Sequence, residues 1–412
     1  MADDERRFAS SLWLIAGRVA SRSTAAIVGF VGTVVWTRAF GKDVYGNYQI
    51  IAAAIAIVTS LCLPGLDDAA LISSAKNKDG NLTPIIRQRV VVSVVGALAL
   101  AAFGLVRYYV TDLPMALAFV IAAVTFVPIQ LQTIWDNFAN GKRKFRLLMV
   151  GEVAVALASL VAVSGFAAIG WTDADNLPWV VLGTLGLTAI TALVLVGTLE
   201  RTNQDRDPAI VRYGHHVTVA SLFAWVLKSD RLIIGEVLSA ADTATLAVAL
   251  VLPNQVKIFF TAFEQVFLPK VTEAPSVAAA WDYIRPRMFR LWAAYTTLGV
   301  VGFLLLPVFI PLAFSQKYVD VIPYAKWLWL SLCLSSPFTF LASILNSQRD
   351  KRFLYIKNLS NPLIMLALFA ILIPPYGILG AIVARIATHG FLVVLHVVYF
   401  AHALRISRGL DT

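Results

Sequence analysis

The stretch Thr37-Arg-Ala-Phe-Gly-Lys-Asp-Val-Tyr-Gly-Asn-Tyr48 lines up with a second stretch half a chain later, Gly235-Glu-Val-Leu-Ser-Ala-Ala-Asp-Thr-Ala-Thr-Leu246. In each, an apolar run ends, a short turn containing Gly or Ser follows, and a new apolar run begins. The first helix therefore answers the seventh, and the chain reads as two copies of one plan. A weaker echo pairs Pro128, which precedes Lys144-Phe145, with Pro337, which stands at nearly the same distance before Arg352-Phe353.

Apolar runs fill the chain on both sides of these stretches. Hydrophobic residues make up 59% of the 412 positions, charged residues 14%, and the mean hydropathy is +0.76. That exceeds what one water-surrounded core can bury. A hydrocarbon layer roughly 30 Å thick takes about 20 apolar residues per helix, and the sequence offers about twelve such runs. Among them are Ser11–Phe40, Tyr45–Ser74, His215–Leu238, Ala241–Leu268, Leu354–Ile373 and Gly377–Ala401. The fold class expected is an all-α polytopic membrane protein. Six helices per half is an even number, so the halves are parallel repeats with the same orientation in the membrane. The expected lobes are residues 1–203 and 204–412, with the polar stretch Glu200–Arg212 as the linker between them.

The net charge of +10 does not mark a nucleic-acid partner, because the bases fall in alternate connections. The clusters are Lys76/Lys78/Arg87/Arg89, Lys142/Arg143/Lys144/Arg146, Lys270/Arg285/Arg287/Arg290 and Arg349/Lys351/Arg352/Lys357. This excess puts those connections, and with them both termini, on the cytoplasmic side. The apolar run after Met1–Ser10 lacks a small-residue cleavage pattern, so it reads as a retained helix. Cys62 and Cys333 fall inside apolar runs and are expected to form no disulfide. No phosphate-binding glycine loop, zinc-ligand spacing or nucleophile elbow occurs. No catalytic residue, metal or cofactor is expected, and function rests on ionisable residues within the helices.

Each of those costs about 2.5–3.5 kcal/mol near a helix centre unless it meets water or a partner. Arg18 and Arg22, four apart, share a face of the first helix and form a cationic stripe. Either they grip a phosphate, or Arg18 snorkels to the interface and Arg22 is paired. Lys228 and Arg231, three apart on the seventh helix, and Lys257 on the eighth form a candidate anion-binding wall. The other reading makes them, with Asp230 and Glu264, a closed set of interhelical pairs. Asp230, Glu264 and Glu152 are the candidates for ion coupling. Arg385 and His389 share a face of the last helix and read as structural. At Pro64-Gly65 the second helix is expected to break and free backbone carbonyls, giving a capped kink or a gate near Asp67-Asp68.

Three stretches carry a family resemblance: Arg38-Ala-Phe-Gly-Lys-Asp-Val-Tyr-Gly-Asn-Tyr48, Gly65-Leu-Asp-Asp-Ala-Ala-Leu-Ile72 and Pro375-Tyr-Gly-Ile-Leu-Gly-Ala-Ile-Val-Ala384. With them the chain resembles the Wzx-like lipid-linked oligosaccharide flippases, polysaccharide exporters of the MOP superfamily, to which the MATE drug antiporters also belong. The resemblance implies a pair of six-helix lobes around a cationic cavity and alternating access. It implies an undecaprenyl-diphosphate-linked sugar as cargo, flipped outward across a bacterial inner membrane for surface polysaccharide synthesis. Arg18 and Arg22 are the positions that fit the family's cationic first-lobe residues. The first helix carries no acid, a departure from the carboxylate-lined cavities of MATE antiporters. The implied partners are the lipid-linked sugar, membrane lipids and the polysaccharide polymerase machinery, acting on a monomer. Two other classes fit the hydropathy: a membrane glycosyltransferase or polymerase using the same lipid-linked substrate, and a MATE-type multidrug antiporter.

Overall fold

The computed structural model describes residues 23–110, 113–347 and 351–410. All regular structure among them is helical. In chain order the α-helices are α1 (Ser23–Ala39), α2 (Lys42–Leu61), α3 (Gly65–Ala75), α4 (Leu82–Val110), α5 (Leu113–Gly141), α6 (Phe145–Ala168) and α7 (Leu177–Gly197). They continue as α8 (Pro208–Ala220), α9 (Asp230–Val237), α10 (Ala240–Glu273), α11 (Val277–Phe314), α12 (Ile322–Ser335), α13 (Thr339–Ser347) and α14 (Lys351–Leu410).

Eight described helical stretches are long and apolar enough to cross a membrane. The outward-facing side chains match that solvent: Val95, Leu98, Val124, Val161, Val194, Leu304, Val308 and Leu312 are all exposed. In water such a surface would drive aggregation, whereas in a bilayer it is the wetted face. The chain is a multi-pass helical membrane protein.

The repeat holds at the level of single residues. α1 ends at Ala39, Gly41 caps the next helix and α2 begins at Lys42; α9 ends at Val237, Ser239 caps and α10 begins at Ala240. These are aligned positions in the two stretches. Ser239 adds what Gly41 lacks, a side-chain oxygen accepting from the Asp242 amide at 3.0 Å. The proline echo diverges: Pro128 stays inside α5, whereas Pro337 sits in a short 3-10 segment that separates α12 from α13.

Two of these expected helices are interrupted. Tyr45–Ser74 is split into α2 and α3, because Pro64 cannot donate to the carbonyl four residues back and holds Leu63 off helical geometry. Leu63 takes a φ of 54°. The freed carbonyls of Cys62 and Leu63 accept from the Arg89 guanidinium of α4, which reaches Leu63 O at 3.1 Å. The same guanidinium donates to both Asp67 oxygens at 3.1 Å and to Thr133 Oγ1 of α5 at 2.7 Å. Thr133 in turn donates to Asp67 at 3.0 Å. The break is a capped kink. Arg89, grouped by sequence with the basic loop residues, is fully buried at 0% exposure and does this capping.

His215–Leu238 is likewise not one helix. α8 gives way at Ser221, whose hydroxyl bonds back to the Val217 carbonyl at 2.9 Å. A 3-10 segment, Leu222–Lys228, follows before α9. The last two expected helices run on from one another in α14, with a turn at Gly377 between them. Its 60 residues would span about 90 Å if straight, about three bilayer thicknesses. It folds back at Gly377, whose φ of 55° only glycine adopts freely. Pro374 and Pro375 remove two helical donors just before the turn.

The described residues of Met1–Leu232 form one compact unit and those of Ile233–Thr412 another. In the first, Leu66 and Ala69 of α3, Leu82 and Ile85 of α4, Ile134 and Phe138 of α5 and Ile210 of α8 share one core. α8 touches α3 backbone to backbone. A Cβ on Gly65 would run into the Gly214 carbonyl, and the Gly65 amide donates to Thr218 Oγ1 at 3.1 Å. Gly65→Ala is expected to lose about 1–3 kcal/mol of stability, the usual cost of overpacking. It should melt measurably below the parent in detergent, while Gly29→Ala, with open space around it, should not.

The polar stretch read as a linker is docked along this first unit. Asp79, fully buried, meets Lys142 Nζ at 2.8 Å and accepts from the Thr202 amide and hydroxyl, each at 2.8 Å. The Gly80 amide donates to Asp205 O at 2.9 Å, and Asn81 exchanges two 3.0 Å hydrogen bonds with the Asp207 backbone. Lys78–Asp205 and Lys144–Glu200 are exposed pairs at 3.4 and 3.3 Å around the rim.

Candidate functional site

The candidate charges fall into separate places. Arg18 and Arg22 lie outside the described residues, as does the side chain of Glu264, whose backbone belongs to α10. Glu152 is half-buried near the start of α6.

In the first unit a polar thread runs between helices. Tyr45 of α2 is buried with its hydroxyl in hydrogen-bonding reach of Thr33 of α1 and of Gln49. Gln49 Oε1 accepts from Arg231 Nη1 at 2.6 Å, and Tyr48 reaches Thr184 of α7. Trp36 stacks on Tyr48 with ring centroids 4.4 Å apart. Arg231 thus reaches α2 from the first turn of α9. Asp230 beside it is buried, while Lys228 is exposed at the end of the 3-10 segment. The shared face expected for Lys228 and Arg231 requires a continuous helix, and the break at Ser229 removes it.

The second unit brings together residues that the sequence kept apart. Lys257 of α10 and Arg385 of α14 both lie in electrostatic reach of the His389 imidazole, one turn beyond Arg385 on α14. His389 Nδ1 and Ser331 Oγ of α12 are 3.0 Å apart. α12 is itself held by Trp329, whose indole donates to the Leu298 and Gly299 carbonyls of α11 at 3.2 and 3.1 Å. Lys257 is exposed, and Arg385 and His389 are half-buried. Counting from Gly377, Arg385 and His389 stand about 12 and 18 Å along their helix, well inside a 30 Å hydrocarbon layer. Cations at that depth need water or a partner to be stable against lipid tails. Chemically the cluster offers a guanidinium fork, an ammonium and an imidazole, a donor set suited to an oxyanion. Sequence spacing could pair Arg385 with His389, but Lys257 and Ser331 join them only through tertiary packing. Among the described residues no group of acids, histidines and cysteines could hold a metal ion.

No protein-family model matches the chain, and no curated protein sequence does. Solved structures do. A multidrug resistance MATE family transporter of the MOP superfamily, described in its inward-facing conformation, superposes with a TM-score of 0.73 at 10% identity. That match covers 94% of this chain and 96% of the other. The chain has the MATE transporter fold. The MATE fold also relates it to a MOP superfamily transporter from Pyrococcus furiosus, described as having a binding pocket of reverse polarity that suggests a different function. There the TM-score is 0.66 at 13% identity, over 97% of this chain and 96% of that one. A MATE multidrug transporter in complex with R6G matches at 0.66 and 14% identity, over 94% of each chain.

Proposed function

We propose that this protein is a transporter that moves an undecaprenyl-diphosphate-linked oligosaccharide from the cytoplasmic to the periplasmic leaflet of a bacterial inner membrane by alternating access. The observation that carries this reading is the meeting of Lys257, Arg385 and His389 inside the membrane-spanning part of one compact unit. Such a set attracts a diphosphate and repels a cationic drug. The fold is that of transporters, and one structural relative is described as having a pocket of reversed polarity, so the fold tolerates more than one charge pattern. Arg18, Arg22, Lys228 and Arg231 of the first unit and Lys257 of the second remain the proposed anion-binding residues. Asp230, Glu264 and Glu152 remain the acidic candidates for ion coupling.

Spheroplasts lacking the protein test this directly. An externally added enzyme that labels outward-facing sugars should find the lipid-linked units trapped in the inner leaflet. Accumulation of single units in the outer leaflet would overturn transport in favour of a polymerase. The multidrug reading draws on the names of the structural relatives; it calls instead for sensitivity of the deletion strain to cationic drugs with normal surface glycan.

A further inference from the structure

α11 is longer than a membrane is thick. Its 38 residues would run about 57 Å, against a hydrocarbon layer of roughly 30 Å. The surplus lies at its start, where Val277–Arg290 holds every charge the helix has: Asp282, Arg285, Arg287 and Arg290. From Arg290 onward one outward stripe runs at steps of three or four residues through Ala294, Thr297, Val301, Leu304, Val308 and Leu312, all exposed. Arg290 to Leu312 is about 33 Å, close to one hydrocarbon thickness. Arg290 therefore stands at headgroup level, with Arg287 about one turn above it. Phe289 and Trp292, 74% and 42% exposed, lie where aromatic rings anchor helices at the interface. The unit's own core fixes this end of α11: Ile284 and Leu291 pack with Phe340 of α13 and with Phe353 and Phe400 of α14, and the Ala278 amide donates to Ser407 Oγ at 3.2 Å.

We infer that Arg287 and Arg290, with Arg285 beside them, hold the phosphate of an anionic phospholipid whose acyl chains lie along the Ala294–Leu312 stripe. The arginines are exposed, and their charge is not cancelled locally. Asp282, the only acid on α11, is met by Arg408 at 3.5 Å, and among the described residues no acid pairs with Arg285, Arg287 or Arg290. Arg287 lies over the Tyr283 ring, 4.4 Å from its centroid, and donates to the Tyr283 carbonyl. That steadies the guanidinium and leaves its other N–H donors for a phosphate, which arginine can grip in a bidentate way. Membrane orientation depends only on how many bases a connection carries. Here they also head a lipid-facing stripe and adjoin exposed aromatic rings, the place a phosphodiester occupies when its chains lie against the helix. A zwitterionic lipid brings its own ammonium and gains less from these charges, so the site selects an anionic headgroup. The lipid is a bound component of the second unit whatever the cargo.

The test titrates the full-length protein in detergent with dioleoyl phosphatidylglycerol or dioleoyl phosphatidylcholine, which share their chains and differ in headgroup, and reads bound lipid by native mass spectrometry. Phosphatidylglycerol should bind roughly thirtyfold tighter, the factor that two arginines near an anionic headgroup supply. Arg287→Gln with Arg290→Gln should bring the two lipids level without weakening phosphatidylcholine; Arg290→Gln alone repeats the measurement, with a smaller loss, should the pair fail to elute as a single species. Arg287→Lys with Arg290→Lys retains the charge and should keep most of the preference. Arg143→Gln with Arg146→Gln removes the same charge from exposed positions in the first unit and should keep all of it. Equal affinities in the parent, a preference that survives the glutamine variants, or one lost equally in the Arg143/Arg146 control overturns the inference. Displacement of phosphatidylglycerol by glycerol phosphate at matched concentration would make this a site for a free anion, and a dimer mass that excludes lipid would make it a surface for a second copy; either result overturns the lipid.

Discussion

Arg89→Met is expected to yield a chain that enters the membrane but does not survive extraction as a folded protein. The guanidinium serves the Cys62 and Leu63 carbonyls, both oxygens of Asp67 and the Thr133 hydroxyl at once. Methionine fills comparable space and removes all of these donations at once, leaving Leu63 O only the Leu66 amide and Asp67 only the Thr133 hydroxyl. Breaking a buried pair from one side typically costs about 3–5 kcal/mol, and the loss here falls toward the lower end because the Asp67 side chain left behind is 21% exposed. A loss of that order is a large fraction of the roughly 5–15 kcal/mol that holds an ordinary domain together. Fluorescence-detected size exclusion after a heating series should show the variant aggregating well below the parent. The double variant Arg89→Met with Asp67→Leu, which removes the stranded carboxylate, should recover part of the loss. A parent-like melting profile for the single variant would mean that the kink between α2 and α3 is capped by something other than this guanidinium.

The second large effect concerns Lys257 and Arg385. Lys257→Glu combined with Arg385→Glu puts two carboxylates beside His389 and should abolish oxyanion binding. Losing two charge-assisted contacts at about 1.5 kcal/mol each already corresponds to roughly a hundredfold in affinity. Repulsion between the new carboxylates and the dianion adds to it. Melting of the double variant, measured in parallel, separates a loss of binding from a loss of stability. Lys144→Glu is the matched control. Its partner Glu200 is 80% exposed, and a surface pair of that kind contributes about 0–1 kcal/mol. Should the double reversal instead raise resistance to cationic drugs, the cargo would be cationic and the multidrug reading would replace the lipid-linked sugar.

Membrane crossing was legible from apolar run length alone, and the repeat from the two aligned stretches, whose helix ends and caps fall on matching residues. The break at Pro64 was legible because proline acts locally on its neighbours. The break after Ala220 was not: Leu222–Lys228 has helix-forming composition, and only its packing on α2 and the Ser221 back-bond set its geometry. Arg89 shows a limit of loop charge counting. It lies one residue from the apolar run of α4, and nothing in its neighbours separates a loop base from a buried one. The site was legible in part for a similar reason. Spacing along one helix joined Arg385 to His389, but joining them to Lys257 and Ser331 requires knowing which helices are neighbours.

The docked connection also has a bearing on how the first unit comes into being. Asp79 and Thr202 are 123 residues apart in the chain, and Asn81 and Asp207 are 126 apart. A contact so distant along the chain closes late, after most of the entropy of the intervening loop has been spent. During synthesis the buried Asp79 therefore waits, facing Lys142 alone, until the end of α7 and the residues beyond it have left the ribosome. A ribosome that slowed while making residues 203–207 would give that closure time, and one that ran through them would release a first unit whose cytoplasmic seam was still open.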